Sequence, residues 1–377
     1  MNPKYQPFFD TFRFRSGVEV KNRLVMAPMT TYSGNPDDTV SKGELTYYAR
    51  RSRGVGMVIT ACTYVTANGK GFPGEFAGDR DEMIPSLRSL ATAIKEQGAK
   101  AVLQIFHAGR MSPPELVPHG KTVSASAVAA EQQGAPVPSE LTDAEIQDII
   151  KAFGETTRRA IEAGYDGVEI HGANGYLVQQ FFSPHSNRRN DHWGGSLEKR
   201  MRFPLAIVDE VKRVVAAHAK QPFLIGYRFS PEEAETPGIT MADTLVLTDA
   251  LAQKELDYLH VSLMNFWSTP RSAEGTRSET RLELIQKQVA SRVPVMGVGS
   301  IRTADEALQA FETGVPLLAL GRELIIEPEW VEKVQNGQEA DIQVEIDKND
   351  QARLEIPDPL WHAILHTPGW FPISQKV

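Results

Sequence analysis

The chain has one cysteine, Cys62, in 377 residues. A lone thiol excludes a disulfide framework, a cysteine-based zinc site and any four-thiolate iron–sulfur cluster, and a reducing cytoplasm fits best. An excess of basic residues is also missing. Lys and Arg number 40 against 48 Asp and Glu, for a net charge of −8. That balance leaves no cationic footprint for a phosphate backbone, so no nucleic-acid partner is expected. Long apolar runs are absent too: the longest uncharged, apolar-rich stretch, 55–69, is broken by threonines, Asn68 and glycines and falls short of the ~20 residues of a membrane helix. The first twenty residues mix Lys4, Asp10, Arg13, Arg15 and Glu19 among aromatics, without the apolar core of an export signal. No export and no membrane partner are expected. There is no internal repeat, low-complexity tract or domain linker.

What is present is ordinary globular material, 41% hydrophobic and 23% charged, long enough for one large α/β barrel with extended loops. Short runs rich in Val, Ile and Leu recur at 24–29, 55–62, 101–106, 167–171, 223–229, 258–263, 293–298 and 315–320. Nearly continuous apolar runs suit strands buried on both faces of a parallel sheet. Helical periodicity fills the gaps at 82–97, 142–163, 197–217, 241–253, 281–289 and 304–312, and Thr142, Thr240 and Thr303 stand where N-caps belong. Alternating strands and helices imply βαβ units. A dinucleotide-binding Rossmann sheet would need G-x-G-x-x-G after a strand, whereas the fragment Gly54-Val55-Gly56 precedes one and lacks the third glycine. The fold class expected is therefore α/β, a single (β/α)8 TIM barrel over 1–335. The excursions at 111–139 and 172–195 are then βα loops on the face that carries chemistry. The remainder, 336–377, is a C-terminal extension expected to pack on the barrel or on a partner subunit, which leaves a homo-oligomer open.

Chemistry-bearing residues gather where the strands end. Thr30 follows the first run, Gln104 lies inside the third, His171 closes the fourth, and Arg228 sits in the fifth. A charged Arg in a barrel strand is costly unless it meets an anion, a polarised ligand or a neighbouring carboxylate. Gly297-Val298-Gly299-Ser300 and Leu320-Gly321-Arg322 end the last two strands. Glycines there let backbone N–H groups approach a phosphate, and a guanidinium adds a charge-assisted bond. His171 and Asn174 could donate to one carbonyl oxygen, and Tyr176 is a candidate proton donor. Metal ligands at matching spacing are missing.

These pieces resemble the Old Yellow Enzyme family of FMN-dependent ene-reductases. The resemblance rests on 22–30 (Asn-Arg-Leu-Val-Met-Ala-Pro-Met-Thr), Gln104, His107-Ala108-Gly109-Arg110, the 171–176 block, the 183–200 signature and Gly321-Arg322, running in order from about residue 5 to about 335. It implies FMN over the barrel mouth, lined by Ala27, Pro28, Met29, Thr30 and Ala61. Gln104 would bond the pyrimidine edge and Arg228 would lie near N1, while Gly299, Ser300, Gly321 and Arg322 would hold the phosphate. The same resemblance makes His171 and Asn174 the binders of a substrate carbonyl, Tyr176 the acid for the neighbouring carbon, and Tyr32 a pocket wall. Asn174 stands where many relatives have a second histidine, and Thr30 where one subgroup has a cysteine. NADH or NADPH would supply hydride, and a small α,β-unsaturated carbonyl compound would accept it. Two rivals use the same barrel: a phosphate-substrate aldolase or isomerase without flavin, which would want a Schiff-base lysine or an acid/base carboxylate at a strand end, and a catalytically inert flavin-binding barrel.

Overall fold

The computed structural model describes residues 1–273 and 279–374. Each of the eight apolar runs contributes one strand: β1 Leu24–Met26, β2 Met57–Ile59, β3 Lys100–Phe106, β4 Gly167–Gly172, β5 Leu224–Phe229, β6 Tyr258–Val261, β7 Val295–Gly297 and β8 Leu317–Leu320. Neighbours in the chain pair in parallel from β1 to β8, and β8 pairs back to β1. That ring is a closed α/β TIM barrel. Around it lie α1 Lys42–Ser52, α2 Ile84–Lys95, α3 Asp143–Ala163, α4 Arg202–His218, α5 Met241–Ala252, α6 Arg281–Val289, α7 Ala304–Glu312, α8 Trp330–Asn336 and α9 Asp358–His366.

Local chemistry explains where the helices start. Thr142 with Glu145, Thr240 with Asp243, Thr280 with Glu283 and Thr303 with Glu306 form reciprocal capping boxes that satisfy otherwise orphaned N–H groups. The helical run expected at 197–217 is interrupted at Met201, where a Ser196-capped turn, Leu197–Arg200, gives way to α4 with Pro204 in its first turn. Helix α1 has no counterpart in the periodicity. Its buried face is Tyr47, Tyr48, Arg51 and Ser52 rather than Leu and Ile, so its amphipathic pattern is hidden.

Period-two alternation along the strands decides what enters the barrel. Val25, Met57, Ile59, Val102, Leu224, Tyr258, Met296, Val298, Leu317 and Ala319 form an inner apolar cluster with Phe14, Val18 and Val20. The last three come from the hairpin of Phe12–Arg13 and Glu19–Val20, which plugs the N-terminal end of the barrel. The intervening positions, such as Val58, Ile170 and Leu318, pack outward against the helices. Counting on in steps of two from the inner apolar set reaches Gln104, Arg228 and His260, so the lumen turns polar toward the strand C-termini. Gly226 is required there: a Cβ would stand 2.1 Å from the Tyr258 ring, which crosses the lumen at that level.

The last segment lies on the barrel. Leu354, Ile356, Leu360, Trp361, Ile364 and Phe371 join the main core, and a single bridge pairs Ile346 with Ile373.

Candidate active site

The polar upper lumen is a connected network. Gln104 Nε2 donates to Glu169 Oε1 at 2.8 Å, and the other carboxylate oxygen lies 2.9 Å from His260 Nδ1. Glu169 and His260 have no exposed side-chain surface. Burial opposes the Glu169 charge, but His260, Arg228 and Gln104 more than offset it and hold the carboxyl below its ordinary range. Gln104 spends one of its two amide N–H groups on Glu169, which leaves the other and the carbonyl oxygen for further partners. His171, Arg228 and His260 share one register level. The Arg228 guanidinium donates to Ser262 Oγ at 3.2 Å, and its Nε is buried without a partner.

Arg228 lines a cavity of about 540 Å³ at the C-terminal ends of the strands. Of the residues singled out from sequence, Ala27, Pro28, Met29, Asn174, Arg228, Gly299, Ser300, Gly321 and Arg322 line it. At its far side Arg322 Nη2 donates to Ser300 Oγ at 2.5 Å, and Ser300 Oγ donates to the Met264 carbonyl at 2.6 Å. Gly299 has φ +144°, and a Cβ there would stand 2.4 Å from the Phe266 nitrogen. Tyr32, Asn174 and Ser300 all have positive φ, 56°, 58° and 55°, the backbone strain that sites retain when surrounding structure fixes it.

The other candidates fall outside the cavity wall. Gln104 is inside the lumen. His171 and Tyr176 pack ring against ring at 5.1 Å, with Phe106 at 4.6 Å from Tyr176 and Phe72 beyond it at 6.1 Å. The backbone N–H of Ala173 donates to His171 Nδ1 at 3.3 Å, so the neutral ring carries its proton on Nε2. Burial, with Arg228 and His260 adding to it, pushes His171 well below its ordinary value and keeps it neutral. Burial also raises Tyr176, which therefore stays a proton donor throughout the neutral range. Asn174 leans the other way: its Nδ2 donates to Ser262 Oγ at 3.0 Å. Thr30, Tyr32 and Ala61 line a separate shallow depression with Cys62 and Glu75. Glu75 was not apparent from the sequence. Its Oε2 accepts from the Gly71 and Phe72 N–H groups at 2.7 and 3.1 Å, and this holds the Phe72 ring against Tyr32 and Tyr176.

No lysine lines the cavity among the described residues, and its carboxylates are Glu232, ion-paired to Arg281 at 2.7 Å, and Glu323, which burial pushes up to about 9. A Schiff-base aldolase has no lysine to work with among the described residues that line the cavity. Among the described residues no three His, Cys, Asp or Glu side chains are grouped to hold a metal, and no helix is long and apolar enough to cross a membrane.

Residues 7–341 match the NADH:flavin oxidoreductase / NADH oxidase family. The chain belongs to that family. It is similar to the probable NADH-dependent flavin oxidoreductase YqiG of Bacillus subtilis, 54% identical over 99% of both chains. It is also 46% identical to the NADH:acrylate oxidoreductase of Vibrio harveyi over 93% of its own length, spanning 35% of that larger protein. Among solved structures, morphinone reductase in complex with tetrahydroNAD superposes with a TM-score of 0.74 at 26% identity, covering 88% of this chain and 91% of that one. The Old Yellow Enzyme resemblance read from the motifs therefore holds, and the chain is an NAD(P)H-dependent flavin oxidoreductase acting on small molecules.

Two residues of this oxidoreductase escaped sequence reading although their signal was there. Glu169 lies two before His171, and His260 two after Tyr258, so alternation alone places both in the lumen. Their pairing needs the β4–β5–β6 register, which sequence does not show.

Proposed function

We propose that the cavity holds FMN non-covalently and that the enzyme uses NADH or NADPH to reduce the C=C bond of α,β-unsaturated carbonyl compounds. The observation that carries this reading is a single cavity lined by five arginines, among them Arg228 at the end of β5 and, beside Ser300, Arg322. The first suits the polar edge of an isoalloxazine and the second a phosphate. Bound FMN supplies the hydride relay between nicotinamide and alkene. The chain's own groups do the rest. Gln104 offers its free carbonyl oxygen to an N–H of the ring edge, and Arg228 opposes negative charge growing there. His171, neutral with Nε2–H free, and Asn174, by turning its Nδ2 from Ser262, donate to the substrate carbonyl oxygen, where charge develops most in the transition state. Tyr176, kept protonated by burial, delivers the proton to the carbon beside that carbonyl. Phe72 and Phe106 exclude water from this corner.

The test is direct. Purified protein should be yellow and release FMN on denaturation, and under anaerobic conditions it should consume NADH when cyclohexenone is added. Unsaturated carboxylates belong in the same panel, given the similarity to an acrylate oxidoreductase. Colourless protein that gains no absorbance with added FMN sinks the cofactor reading; yellow protein that oxidises NADH but leaves every activated alkene untouched sinks the substrate reading.

A further inference from the structure

The family match ends at residue 341, yet Trp370 and Pro372, from beyond it, line the same cavity as Arg322. Their route there is built into the sequence. Helix α9 ends at His366, and Thr367-Pro368-Gly369-Trp370 follows. Gly369 has φ +75°, and the Trp370 N–H donates to the Thr367 carbonyl at 3.2 Å, which is the sequence and bonding of a tight turn with proline second and glycine third. The turn reverses the chain onto the barrel. Phe371 then buries in the main core, and the Ile346 N–H donates to the Pro372 carbonyl at 2.9 Å while the Ser374 N–H donates to Ile346 at 2.8 Å. Those anchors fix one carbonyl, that of Trp370, which accepts from Arg322 Nη1 at 3.0 Å. Arg322 is thereby held at two points, Nη1 on the tail and Nη2 on Ser300 Oγ.

An arginine side chain carries much rotamer freedom, and a planar fork binds an anion best when its plane is already set. A main-chain carbonyl can satisfy one N–H and restrain the plane without neutralising the charge, which a carboxylate would do. Arg322 has no ion-pair partner among the described residues, so its charge stays available. We propose that the C-terminal segment at Thr367–Trp370 is a phosphate clamp: its turn presents the Trp370 carbonyl that pre-orients Arg322 toward the phosphate of the cofactor. This rests on the reading of Arg322 as the phosphate binder. The segment thus belongs to the cofactor site, as a positioning element acting through Arg322.

Because the clamp acts on the phosphate alone, riboflavin is the internal control. Full-length protein and two variants, a truncation after Thr367 and Gly369→Ala, are each loaded with FMN or with riboflavin and diluted, and free flavin is measured by ultrafiltration. Thermal melting reports folding; α9 with Leu360, Trp361 and Ile364 remains in both. The wild type should hold FMN at least about a hundredfold tighter than riboflavin. Truncation should weaken FMN by at least about tenfold and riboflavin by less than about threefold, and Gly369→Ala, which strains the turn but removes no core atoms, should shift the FMN-to-riboflavin ratio in the same direction. A folded truncation that keeps the full preference for FMN overturns the clamp. Equal weakening of both flavins also overturns it, since that is a lost wall rather than a lost phosphate contact. If the truncation fails to fold, an unchanged ratio in Gly369→Ala overturns it. A wild type with no preference for FMN over riboflavin would instead overturn the phosphate reading of Arg322, and the clamp with it.

Discussion

Replacing Glu169 by Gln removes one negative charge from the barrel lumen and almost nothing else. The carboxylate accepts from Gln104 and His260, has no exposed surface, and is the buried anion nearest in effect to Arg228. Breaking a buried charge arrangement by removing one partner costs about 3–5 kcal/mol. Glutamine keeps the shape and an acceptor oxygen, so the lower end, about 3 kcal/mol, is the expectation. For a chain of 377 residues the unfolding entropy is roughly 0.8 kcal/mol/K at about 2.1 cal/mol/K per residue, which converts 3 kcal/mol to a fall of about 4 °C in melting temperature. The pH dependence has a definite sign. Glu169 is held below its ordinary value of 4.5, so its stabilisation is complete above that value and is lost as pH falls through the lower folded value. Melting of both proteins by circular dichroism across the pH range should show a constant gap at neutral pH that narrows below about 4.5. A melting temperature within about 1 °C of wild type at neutral pH, or a gap that widens on acidification, would refute the assignment of Glu169 as the charged hub of this network.

Other outcomes follow from the same geometry. Tyr176→Phe should keep NADH oxidation on flavin alone near wild type and slow reoxidation by cyclohexenone by at least about tenfold, within the ~10²–10⁴ of a general acid, as separated by stopped flow; equal loss of both phases would make Tyr176 structural. A para-substituted phenolate, which resembles an enolate, should bind at His171 and Asn174 and give a long-wavelength absorbance band that is lost when both side chains are removed. Gly226→Ala should lower stability by about 1–3 kcal/mol, because its Cβ meets the Tyr258 ring, and an unaltered melting curve would place that ring elsewhere. Arg322→Ala should weaken FMN retention measured by ultrafiltration, whereas unchanged affinity would put the phosphate at another site.

The strands and their order were legible in the sequence because a parallel strand buried on both faces leaves a run of Val, Ile and Leu that few other elements leave. Gln104, His171 and Arg228 stood out as candidates for the converse reason: a polar side chain in or at the end of such a run must face a partner or a ligand. The motif at 171–176 carried the family. Helix α1 was not legible, since its buried face is tyrosine and arginine. What the tertiary structure alone decided depends on contacts between residues far apart in the chain. The β3–β4–β5–β6 register sets Glu169, 65 residues from Gln104 and 91 from His260, at the centre of one network. Thr30 and Tyr32, next to Met29 in sequence, line with Ala61 a depression apart from the cavity that Met29 lines. And the Trp370 carbonyl reaches Arg322 across 48 residues. Side-chain periodicity reports which way a residue points, a local property of φ and ψ; which group it then meets is set by strand register and by where the tail folds back, and neither is encoded in any local window.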